Sequence, residues 1–224
     1  MTNLKEKNNE ELLLELVIEY FIKEGSPVGS KFLFDADEIK MAPSTIRKYL
    51  NILEKKWLVY QPYNSSWRVP TPEGVNNYVL SLLPKEHSTN IIKINQNFNL
   101  RWFIEQLWEL IDGVAFWNFE DESDMHYLWV TQILKKVWND IEKIIPLMEF
   151  IEKKEIISYL RKKQIAWWKI NYSFVNYDWV NIALMYIKVN FEWRNAIVWI
   201  LGSLRVDYKK NINILEKILE KWTI

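Results

Sequence analysis

The chain has 224 residues, 49% of them hydrophobic and 26% charged, with no cysteine and a formal net charge of zero. That size suits one large domain or two small ones. The absence of cysteine excludes disulfides, thiol catalysis and thiolate metal sites, and no apolar run reaches the roughly 18 residues that cross a bilayer. The N-terminus has no apolar core followed by a small-residue cleavage site, so a signal peptide is not expected and a cytoplasmic location is.

The first predicted element is a helix over "NEELLLELVIEYFIKEG", where Leu13, Leu14, Val17, Ile18 and Phe21 share one face and Gly25 is the stop signal. "SPVGSKFLF" gives a turn and a short helix capped by Ser30. After the polar loop "DADEIKMA" comes the helix "PSTIRKYLNILEKK", with Ser44 as its expected cap and Ile46, Tyr49, Leu50 and Leu53 facing inward. "LVYQPY" and "RVPTP" then read as strands joined at "NSSW", a hairpin by pattern. "TPEGVNNYVLSLL" is a further helix, ended by Pro84.

This order of helix, helix, turn, helix, hairpin and helix predicts a winged helix-turn-helix over residues 1–84. Residues 85–98, "KEHSTNIIKINQNF", are polar and predict a linker to a second domain over 99–224. There an amphipathic helix, "LRWFIEQLWELI", precedes strand-like runs "GVAFWNF", "HYLWV", "QIAWWKI", "NIALMYIKV" and "AIVWILG". Helical runs "TQILKKV", "DIEKIIPLMEFIEKKEIISYLRKK" and "DYKKNINILEKILEKW" lie between or after them, so the expected fold class is α+β.

Charge is unevenly spread. Between residues 39 and 72, Lys40, Arg47, Lys48, Lys55, Lys56 and Arg68 face a single acid, Glu54, a local +5 inside a neutral chain. On the helix from Pro43 the outward residues are Ser44, Thr45, Arg47, Lys48 and Asn51. These types read DNA: Arg on guanine, Asn on adenine, Ser and Thr on either. Lys48, Lys31 and Arg68 are the expected backbone contacts, Arg68 from the wing. An ordinary helix with a solvated basic face would carry similar residues, and the charge, hairpin and caps together favour the DNA-reading face.

Enzymatic function is not expected. His87 and His126 lie far apart without metal-ligand spacing. No Walker loop or Gly-rich dinucleotide turn occurs, and no cofactor is expected. A ligand-sensing regulator and a structural protein with a degenerate wing are the other readings the residues leave open.

"EYFIKEGSPVGSKFL", "MAPSTIRKYLNILEKKW" and "YQPYNSSWRVPTPEGVNNYV", in that order, resemble the N-terminal domain of the heat-inducible transcription repressor HrcA family across almost all of residues 9–84. "HYLWVTQILKK" and "AIVWILGSLRVDYKKNINILEKI" fit the family's second half more loosely, with Gly202, Arg205, Asp207 and Tyr208 in register. The resemblance implies a dimeric repressor of chaperone genes on an inverted-repeat double-stranded operator called CIRCE. It also implies a GAF-like second domain and support from the GroEL chaperonin. The chain departs from the family between residues 100 and 128, where the inserted dimerisation domain has no room. A GAF-like domain that binds a small molecule is the alternative function.

The resemblance also bears on an odd composition, 5 Gly and 13 Trp, where ordinary usage of about 7% predicts roughly 16 Gly. Trp57, Trp67, Trp129 and Trp199 fall on family glycines. The expectation is that most Trp letters are UGA codons read as Gly in the source organism.

Overall fold

The computed structural model describes residues 8–35, 41–62, 67–84, 107, 109–121, 126–127, 141–167, 169–191 and 194–221. The expected linker, the "TQILKKV" helix and most of "LRWFIEQLWELI" and "HYLWV" lie outside these residues. The chain divides into two compact units, residues 1–81 and 82–224.

The first unit begins with α1 (Asn9–Glu24). Asn8 caps it, its side chain accepting from the Glu10 N–H. Gly25 ends it at φ 69°, the left-handed geometry that glycine adopts without a Cβ penalty. Leu13, Leu14, Leu16, Val17 and Ile18 are buried, each such side chain contributing about 1.5–3 kcal/mol relative to exposure. β1 (Val28–Gly29) leads into α2 (Ser30–Asp35), and α3 (Pro43–Lys55) packs on α1 and α2. β2 (Val59–Tyr60), β3 (Trp67–Pro70) and α4 (Pro72–Leu82) complete the unit.

The three strands pair antiparallel in the order β1-β3-β2, with Val28 opposite Arg68 and Tyr60 opposite Val69. The order of helices and strands is that expected of a winged helix-turn-helix; the segment between α2 and α3, residues 36–40, lies outside the described residues. Trp67 stands in strand β3, opposite Gly29, rather than in the turn. The "NSS" of the expected turn lies outside the described residues.

Two local devices tie the wing to the helices. α3 ends in a Schellman motif: Trp57 N–H donates to the Glu54 carbonyl and Leu58 N–H to the Leu53 carbonyl. Thr71 then caps α4, accepting from the Gly74 N–H while its hydroxyl donates to the Trp57 carbonyl at 2.6 Å. Gly74 itself lies so close to the strand entry that a Cβ there would sit 2.0 Å from the Leu58 carbonyl oxygen.

The second unit holds an antiparallel sheet in the order β5-β4-β8-β7-β6. Its strands are β4 (Val114–Phe119), β5 (His126–Tyr127), β6 (Asn171–Tyr177), β7 (Val180–Phe191) and β8 (Arg194–Ser203). α5 (Ile141–Glu152) and α6 (Glu155–Arg161) bury Leu147, Phe150, Ile156 and Leu160 against one sheet face, with Phe116, Leu184 and Trp199. The Trp199 ring stacks on Phe116 with centroids 4.3 Å apart, and its Nε1 donates to Asn118 Oδ1. α7 (Tyr208–Lys221) is fastened by the fully buried Asn211, whose amide both donates to the Asp112 carbonyl and accepts from its N–H. The mixture of helix and antiparallel sheet agrees with the expected class.

Two expectations for this unit fail. "QIAWWKI" is not a strand: Trp167 forms one isolated bridge to Lys188, and the strand begins at Asn171. The long run from Ile141 is not one helix, because Lys154 takes φ 53° and separates α5 from α6. Among the described residues no helix is long and apolar enough to cross a membrane.

Candidate nucleic-acid interface

α3 presents two faces because its sequence alternates with helical period. Ile46, Leu50 and Leu53 are buried, while Ser44, Arg47, Lys48 and Asn51 are exposed along the opposite side. Spacings of three and four residues put those exposed side chains in one row. Thr45 is half-buried at the edge of the row, its N–H donating to the Ala42 carbonyl. Arg47 lies back along the first turn, with Nε donating to the Pro43 carbonyl at 3.3 Å.

Ser44 is not the cap. Ala42 occupies that position and Pro43 is the first helical residue, where a missing N–H costs nothing and φ is already helical. Ser44 is thereby left in the first turn with its side chain exposed, at the end of the helix that a helix-turn-helix directs toward bases.

Arg68 does not stand free at the wing as expected. Its side chain is only 6% exposed. Nη2 forms an ion pair with Glu54 Oε2 at 2.9 Å and donates to Asn51 Oδ1 at 3.1 Å, while Nη1 donates to the Trp67 carbonyl at 3.4 Å. A buried guanidinium needs such partners to offset lost hydration, and Asn51 and Glu54 provide them from one face of α3. Glu54, the lone acid of the basic window, carries no local signal in the sequence for this pairing.

The local charge is therefore smaller at the surface than in the sequence. Arg68 is neutralised by Glu54, and Lys56 is paired with Glu10 on α1. Lys31 on α2 and Arg47, Lys48 and Lys55 on α3 are exposed. Lys40 lies outside the described residues. Of the expected site residues, Ser44, Arg47, Lys48 and Asn51 share one row, Thr45 borders it, Lys31 lies on the neighbouring helix, and Arg68 is behind the row.

No protein-family model matches the chain. Two curated relatives do. One is the heat-inducible transcription repressor HrcA of Anabaena sp. (strain L31), 32% identical over 109 residues, which are 48% of this chain and 30% of that protein. The other is HrcA of Prochlorococcus marinus (strain MIT 9313), 32% identical over 102 residues, or 44% of this chain and 29% of that one. The resemblance read in the sequence is thus present in alignment, and the chain spans under a third of the length of these relatives in the matched region. Among solved structures, a hypothetical protein determined at 2.2 Å shares the fold, with TM-score 0.67 and 14% identity over 97% of both chains.

Proposed function

We propose that this chain, similar over nearly half its length to heat-inducible transcription repressors, is a sequence-specific DNA-binding repressor. The observation that carries the reading is the exposed row Ser44, Arg47, Lys48 and Asn51 on the second helix of a helix-turn-helix. That helix enters the major groove with its N-terminal residues on base edges. Arg47 donates to guanine, Ser44 and Thr45 contact either base type, and Asn51 reads a base further along. Lys48 and Lys31 hold phosphates and supply affinity without sequence information. The role is regulatory and not enzymatic.

The finer reading follows the relatives. The regulated genes are heat-shock genes encoding chaperones, and the operator is an inverted repeat of the CIRCE type. Such a repeat favours a twofold homodimer. Residues 99–224 form the GAF-like regulatory and dimerisation part, and the GroEL chaperonin is a partner. A gel shift on an inverted-repeat duplex tests the core of this. Arg47→Ala should lose about 1–3 kcal/mol of discrimination against mismatched sites. Wild type and Arg47→Ala binding equally weakly, and only at low salt, would defeat the reading.

A further inference from the structure

Resting on that DNA-binding reading, we propose that Arg68 is a positioning residue that fixes the wing to the recognition helix and sets which edge of the Asn51 amide meets the base. Three contacts support it. Nη2 of Arg68 spends its two hydrogens on Asn51 Oδ1 and Glu54 Oε2, and Nη1 reaches the carbonyl of Trp67 at the start of the wing strand. A guanidinium only donates, so the Asn51 atom facing it is the oxygen; the flipped amide would set donor against donor. Asn51 is exposed, and its Nδ2 is left as the donor available to the groove. The carbonyl is partly committed, which weakens the two-point adenine contact and favours a base that offers an acceptor, such as guanine N7 or O6 or thymine O4.

The site is first selected by the full-length wild-type chain from a duplex library with a randomised core. Binding of Arg68→Lys and Arg68→Gln to that site and its single-base variants is then measured across a salt series. If Arg68 is a strut, both variants change base preference at the position that Asn51→Ala also changes, by about tenfold, and the salt slope stays that of wild type. If Arg68 instead holds a phosphate, Arg68→Lys behaves as wild type and Arg68→Gln lowers the slope by about 0.9 per contact; this result overturns the proposal and leaves the repressor reading intact. Should either variant fail to fold, the wild-type Arg68 guanidinium resonances decide. They stay in place on adding DNA if the fork is already engaged, and they shift if a phosphate takes it. A wild-type chain that selects no sequence sinks the repressor reading, and the strut's role in recognition with it.

Trp57 and Trp179 present an independent case. Trp57 has φ 58° at the C′ position of the Schellman motif and is 75% exposed. Trp179 has φ 60°, follows Asp178 at φ 42° in the two-residue turn between paired Tyr177 and Val180, and is 58% exposed. A hairpin turn with two positive φ values is the primed type that Asp-Gly favours, and C′ of a Schellman motif is usually Gly. We infer that both positions are glycine in the protein as its own cells make it, through UGA codons read as Gly. Trp67 and Trp199 lie in strands and carry no such backbone signal. UGA codons at 57 and 179, with peptide masses from native protein showing Gly at both, are the expected result. UGG codons, or peptide masses showing Trp, overturn it.

Discussion

A tryptophan's cost or benefit here depends on the backbone beneath it. Trp57 combines a left-handed φ with an exposed ring, so it suffers the Cβ clash of that region without burial to offset it. Trp57→Gly should therefore stabilise the chain by about 1 kcal/mol, read as a higher urea midpoint, whereas Trp67→Gly, in extended strand, should give no such gain. Trp199 is the opposite case. It is fully buried, stacked on Phe116 and bonded to Asn118. Trp199→Ala should cost about 3–5 kcal/mol, because it opens a cavity in the sheet core, and leaves a buried amide oxygen without its donor. A loss under 1 kcal/mol in equilibrium unfolding would mean the core closes over the gap.

At the scale of elements, the junction from α3 through the wing to α4 is held by backbone contacts with no slack. A methyl at Gly74 would meet the Leu58 carbonyl oxygen at 2.0 Å, and neither backbone segment can yield without moving a helix end. Gly74→Ala should lose about 2–3 kcal/mol, in the range of core overpacking, and, on the proposed reading, weaken DNA binding along with it; unchanged thermal unfolding would contradict the tight junction. Helix α3 was legible in the sequence because Ile46, Leu50 and Leu53 recur with helical period. Its cap was not, because Pro43 is compatible with standing before a Ser cap or at the first helical position, and only the backbone decides. Strand β6 was hidden for a related reason. "NYSFVNY" carries the polar residues Asn171, Ser173 and Asn176 and is half-buried along most of its length, while the more continuously apolar "QIAWWKI" before it carries the stronger strand signal. The contact of Arg68 with Asn51 and Glu54 joins residues 17 and 14 positions apart through a strand pairing, and no local pattern announces that.

For the whole molecule, if it binds DNA as proposed, the relevant quantity is how many phosphates one complex neutralises. The chain is neutral overall, so on the proposed reading net charge does not drive it to DNA, and affinity rests with the exposed basic side chains on α2 and α3. With Arg68 and Lys56 internally paired, Lys31 and Lys48 are the contacts proposed for the backbone. Each released counterion contributes about 0.9 to the slope of log K against log salt on duplex DNA. In a twofold complex every substitution counts twice. Lys48→Ala should therefore lower the slope by about 1.8 on a full inverted repeat and by about 0.9 on an isolated half-site bound by one protomer. Equal decreases on both probes would mean that a single protomer binds either one, and the homodimer on a palindromic operator would be lost. A decrease of about 1.8 only on the repeat would support twofold binding.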